Sequence, residues 1–139
     1  AAWALTAVAS RDRRLDLYSR LGVPVVLRAA SFPLGALTMI CYAFAKADHR
    51  DGDVYESLST AIARHMDEEM RPIDVCNVVW AFCTVGFRDD VLFSKLCEVY
   101  LTRKEVVSHF NPQDLTNTTW GFSKVGFINQ PAMDTLARV

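Results

Sequence analysis

The feature that most constrains this chain is that it repeats itself. Three segments align on a large aromatic residue: 37–47 around Tyr42, 75–85 around Trp80 and 115–125 around Trp120. A weaker copy, Ala2-Trp3-Ala4-Leu5-Thr6-Ala7-Val8, opens the chain. The anchors Trp3, Tyr42, Trp80 and Trp120 are 39, 38 and 40 residues apart. The flanks repeat too. Pro33, Pro72 and Pro112 precede three anchors, and Gly86-Phe87 and Gly126-Phe127 close the last two copies. A second apolar pattern follows each anchor: Leu17-Tyr18-Leu21, Val54-Tyr55-Leu58, Leu92-Phe93-Leu96 and Met133-Leu136. A unit of this size cannot bury its apolar faces alone, so neighbouring units must stack and share a core.

Each unit reads as two helices. The first starts near its proline, whose fixed φ suits a first turn. Asp74 and Asp114, two residues on, favour or cap that N-terminus. Gly86 and Gly126 fit C-caps that need positive φ. The second helix starts at Asp53, Asp90 or Gln130 and carries its own i, i+3/i+4 stripe. No window alternates with period two for long, and Pro24 interrupts the short β-branched run 23–27. The expected fold is therefore all-α: a right-handed α-solenoid of helical hairpins, forming one domain with units at about 1–32, 33–71, 72–111 and 112–139. Tetratricopeptide units are shorter, ~34 residues, and patterned differently, while HEAT and armadillo units of ~40–47 fit on length. Because the chain opens inside one first helix and stops inside a second helix, it is expected to be a piece of a longer solenoid truncated at both ends.

Composition limits the function. Of 139 residues, 51% are hydrophobic, too many for a disordered tail, and the net charge is −1. A generic polycation coating nucleic acid is excluded, so any contact with RNA must come from a local patch. Residues 1–31 carry five Arg against two Asp, and residues 47–74 carry eight acids against three Arg. Cys41, Cys76, Cys83 and Cys97 form no CxxC and read as buried thiols of a reducing compartment. The uncharged stretch 29–45 divides at Pro33, so a buried helix after a turn fits it better than a membrane span. His65 and Glu69 are spaced i, i+4 but lack a third ligand, and read as a solvated helix end. No nucleophile–base set and no glycine-rich phosphate loop is present. No catalysis, cofactor, metal or small-molecule substrate is expected.

The best-matched copies read Asp74-Val-Cys-Asn-Val-Val-Trp-Ala-Phe-Cys-Thr-Val-Gly-Phe87 and Asp114-Leu-Thr-Asn-Thr-Thr-Trp-Gly-Phe-Ser-Lys-Val-Gly-Phe127. This pattern resembles the octotricopeptide/heptatricopeptide helical repeats of organellar proteins, many of which end in a RAP domain, such as the Fas-activated kinase-like proteins. The copy around Tyr42 departs from it: Tyr42 replaces Trp, Met39 replaces Asn, and Asp48-His49 replaces Gly-Phe. The resemblance implies RNA binding in a mitochondrion, or alternatively a plastid. It points to a structural ribosomal protein holding rRNA among neighbouring proteins of a large assembly.

The candidate RNA-binding residues form two sets. Asn77 and Asn117 stand three residues before their anchors, and Thr84 and Lys124 four after, with Lys46 in the same column. Asn and Lys seven apart share a helix face. They are expected to form a polar ladder in which amides meet base edges and lysines meet phosphates; the alternative is that Asn pairs with the backbone of the neighbouring repeat and Lys is a solvated surface residue. The second set is Arg11, Arg13, Arg14, Arg20 and Arg28, the first three expected in or near an interhelical turn, where they bind RNA phosphate or, alternatively, form an ordinary charged loop or meet acids of a neighbour. The anchor aromatics, and Phe44, Phe82 and Phe122 two positions on, are expected in the core. The rival function is a protein-interaction solenoid scaffold in a mitochondrial complex, supported by the acidic stretch 47–74.

Overall fold

The computed structural model describes residues 2–66 and 68–139, apart from the side chain of residue 3. Trp3, the first anchor, therefore lies outside the described side chains. Among the described residues there are α-helices, a 3-10 turn and a π turn, and no strand. The helices are α1 (Ala2–Arg28), α2 (Leu34–Lys46), α3 (Gly52–Ala63), α4 (Pro72–Thr84), α5 (Asp90–Leu96), α6 (Lys104–Val107), α7 (Pro112–Val125) and α8 (Gln130–Ala137). None is long and apolar enough to cross a membrane.

The anchored segments become α2, α4 and α7, and these pack in succession, α2 on α4 and α4 on α7. Their N-termini use the expected acids one step removed: Asp74 and Asp114 stand three residues past the cap residues, and each reaches back to it. The Asn111 side chain accepts from the Asp114 N–H at 2.7 Å, and the Asn111 N–H donates to Asp114 Oδ2 at 3.1 Å. That reciprocal pair satisfies two otherwise orphaned donors. Arg71 has no side-chain acceptor to offer, and instead its guanidinium donates to both Asp74 oxygens at 2.9 and 3.0 Å. Burial opposes the Asp74 charge, but Arg71 and the Thr38 hydroxyl of α2 outweigh it and hold the carboxyl below its ordinary value.

The second helices α3, α5 and α8 are capped by Asp51, Asp89 and Asn129, which accept from Asp53, Leu92 and Ala132 N–H groups. The two sets of helices meet through aromatic rings. Tyr55 of α3 lies 5.6 Å from Phe82 of α4, Phe82 lies 6.4 Å from Phe93 of α5, and Phe93 lies 5.3 Å from Phe122 of α7. The phenylalanines two positions past the anchors are thus the core residues expected. The four cysteines are free and buried, with the Cys76 thiol pushed up to about 11 and Cys83 and Cys97 to about 12 chiefly by desolvation. Gly121 lets α7 approach α4: a Cβ there would meet Val79 and Cys83 at 3.2 Å.

Gly86 and Gly126 adopt φ of 74° and 70°. The amides of Phe87 and Phe127 then bond back to the carbonyls of Phe82 and Phe122, both at 2.9 Å, closing the turn that a left-handed residue permits. The second copy makes the same turn without glycine. Asp48 takes φ of 60°, and His49 N–H bonds to the Phe44 carbonyl at 3.0 Å. A left-handed non-glycine costs about 1–2 kcal/mol. His49 fills the place of Phe87 and Phe127, edge-on to Phe44, yet its buried Nδ1 has no hydrogen-bond partner. An orphaned buried polar atom costs about 1–3 kcal/mol. His49→Phe is therefore expected to raise the urea midpoint by an amount worth about 1 kcal/mol with an unchanged denaturant slope; an unchanged or lower midpoint would refute this account.

Two units depart from the expected hairpin. The first copy does not turn: α1 runs unbroken from Ala2 to Arg28 and contains Pro24. Arg11, Arg13 and Arg14 therefore lie within a helix, not in an interhelical turn. The third unit's second helix loosens into a π turn at Cys97–Leu101, where Thr102 N–H bonds to the Cys97 carbonyl at 3.0 Å. The short α6 follows, and the Tyr100 hydroxyl donates to the Glu68 carbonyl at 2.6 Å.

Candidate nucleic-acid interface

Residues at i, i+3 and i+7 form one stripe along a helix. On α2, α4 and α7 that stripe is Met39–Tyr42–Lys46, Asn77–Trp80–Thr84 and Asn117–Trp120–Lys124. Because the helices lie side by side, the stripes form a continuous face with no carboxylate in it. Tyr42 and Trp120 belong to this face, which corrects their assignment to the core, while Trp80 lies on it and also packs against the core. Tyr42 is 37% exposed, Trp120 46%, and Trp80 partly buried. Tyr42 and Trp80 stack across the α2–α4 boundary with ring centroids 5.0 Å apart. Lys46 sits 5.7 Å from the Tyr42 ring and Lys124 5.3 Å from the Trp120 ring, within cation–π range.

The predicted polar column is on this surface, though not all of it is free. Asn77 is half-buried. Asn117 accepts from Gln113 Nε2 at 3.1 Å. Lys124 donates to the Thr84 carbonyl at 2.8 Å, tying the end of α7 to the end of α4. The Thr84 hydroxyl is buried without a partner, so it does not serve the surface. Lys46 is exposed.

The arginines of α1 are not brought together. Arg11, Arg13, Arg14, Arg20 and Arg28 spread along about 25 Å of helix at 1.5 Å per residue, and around its circumference. Arg11 pairs with Asp48 at 2.9 Å and Arg20 with Asp16 at 2.8 Å. Arg13, Arg14 and Arg28 are exposed. Arg50 and Arg88 lie outside the two expected sets, and their signal in the sequence is recurrence eight residues after the anchors Tyr42 and Trp80. Arg50 donates to the Val85 carbonyl at 3.3 Å, and Arg88 to those of Val125 and Gly126, both at 3.2 Å. Each neutralises the C-terminal end of the next unit's first helix, where cations are favoured. His65 pairs with Glu68 at 2.6 Å, and no group suited to a metal ion occurs among the described residues.

The fold and this face define an all-helical chain with an internal repeat that presents aromatic rings and lysines along one side. The chain belongs to the family described as RESC6, RNA-editing substrate-binding complex 6 protein, whose match covers residues 4–139. This membership replaces the octotricopeptide/heptatricopeptide assignment. No curated protein and no solved structure matches the chain.

Proposed function

We propose that this protein is a non-catalytic α-solenoid scaffold of an RNA-editing complex, with the four units set out above, and that it holds RNA on the face of α2, α4 and α7. The observation that carries the reading is the carboxylate-free row of Tyr42, Trp80 and Trp120 flanked by Lys46 and Lys124. Aromatic faces stack on unpaired bases, amides reach base edges and lysines meet phosphates. Family membership favours an editing substrate over rRNA as the RNA, and leaves the ribosomal assignment without support. We place this complex in the mitochondrion. The acids Asp51, Asp53 and Glu56, exposed on and beside α3, offer a surface to neighbouring proteins.

Ultraviolet crosslinking of the native complex, followed by peptide mapping, tests the assignment. RNA adducts are expected on peptides carrying Trp80 and Trp120. Recovery of an intact complex with RNA adducts confined to other subunits would show that this chain is a protein scaffold.

A further inference from the structure

We infer that residues 2–12 have a second arrangement: α1 breaks near Arg11, and residues 2–8 dock along α2 in the place of the C-terminal half of a first helix, adding a rung to the helix face. The first argument is register. Arg11-Asp12 occupies the place of Arg50-Asp51 and Arg88-Asp89. Asp51 and Asp89 are the N-caps of α3 and α5. Asp12 has the same capping chemistry but stands inside α1. Arg50 and Arg88 each reach the end of the next unit's first helix, and Arg11 already makes that reach, through its ion pair with Asp48 at the end of α2. The C-terminal part of α1 is thus seated as a second helix, packed on α3, while its N-terminal part runs on past the point where the other units turn.

The second argument is burial. In α4 and α7, the side facing the preceding first helix is closed: Val78, Ala81 and Thr118 are fully buried. The equivalent Ile40 and Ala43 of α2 are only half-buried. The missing cover is one period upstream. Leu5 matches the buried column of Phe44, Phe82 and Phe122, and Val8 matches Ala47 and Val85. In the continuous helix Leu5 is 73% exposed and Val8 57%. Breaking the helix forfeits a few backbone bonds around residues 9–12, which the Asp12 cap partly replaces, and buries apolar area on both partners.

A disulfide reports the closed form. Thr6 and Ala43 correspond to Cys83 and Gly121, where a Cβ on residue 121 would lie 3.2 Å from Cys83 Cβ. In the open helix, Gly22 is the part of α1 lying beside Phe44, and residue 6 is about 24 Å further along the axis. Mild oxidation of the full chain carrying Thr6→Cys and Ala43→Cys is expected to give an intrachain disulfide in most monomers, absent from either single variant. Thiol labelling is a second readout: Leu5→Cys is expected to react at least about tenfold more slowly than Arg13→Cys. No crosslink with equal labelling rates, or a crosslink only between two chains, would overturn the inference. Neither assay involves RNA, so its result stands apart from the fate of the RNA-binding assignment.

Discussion

Trp120→Ala is expected to weaken binding of a short unstructured RNA by at least about tenfold while leaving the helical fold intact. Stacking of a base on an aromatic ring is worth about 1–3 kcal/mol, and 1.4 kcal/mol is a factor of ten. Trp120 is suited to this role by its 46% exposure and its position beside Lys124. Only part of the ring is removed from water in the fold, so its loss costs less stability than that of a buried core ring. Tyr42→Ala is a weaker probe of the same effect, because Tyr42 already stacks on Trp80 and its removal disturbs a packed pair. Fluorescence anisotropy at fixed ionic strength measures the change. An affinity unchanged in a folded Trp120→Ala protein would remove stacking from the account.

Phe82→Ala is expected to have the largest effect on stability. Phe82 is fully buried and touches rings on both sides, Tyr55 at 5.6 Å, Phe87 at 5.7 Å and Phe93 at 6.4 Å. Emptying such a site costs about 3–5 kcal/mol through lost burial and the cavity left behind. Domains have about 5–15 kcal/mol in total, so the variant is expected to be partly unfolded or to melt at a far lower urea concentration. A loss below about 1 kcal/mol in urea titration would mean that the aromatic relay does not link the units as described. The contrast between Phe82 and Trp120, each in a Trp-x-Phe pair or its equivalent, separates a residue that holds the stack together from one presented to a ligand.

That contrast was open to sequence reasoning and was missed. Asn77, Trp80 and Thr84, like Asn117, Trp120 and Lys124, fall at i, i+3 and i+7 on one stripe. If Asn and Lys face solvent, the aromatic residue between them faces solvent as well. A surface ladder of amides and lysines is incompatible with anchors held wholly in the core. The spacing of Tyr42 to Lys46 and Trp120 to Lys124 carried the same message, since i+4 sets a cation over a ring. The phenylalanines two residues past the anchors turn 200° away and form the core.

Local physics was written in the residues themselves. Prolines opened the first helices, Gly86 and Gly126 closed them at positive φ, and apolar spacing placed the second helices. Those signals act within a few residues and need no partner, so the all-helical class and most helix limits followed from sequence alone. The exposed anchors, the scattered arginines of α1, the π turn at Cys97–Leu101 and the carbonyl-binding roles of Lys124, Arg50 and Arg88 depended on contacts between units. Only the tertiary structure decided them, because burial and hydrogen bonding are properties of pairs of helices, and one period of sequence does not say which face its neighbour covers.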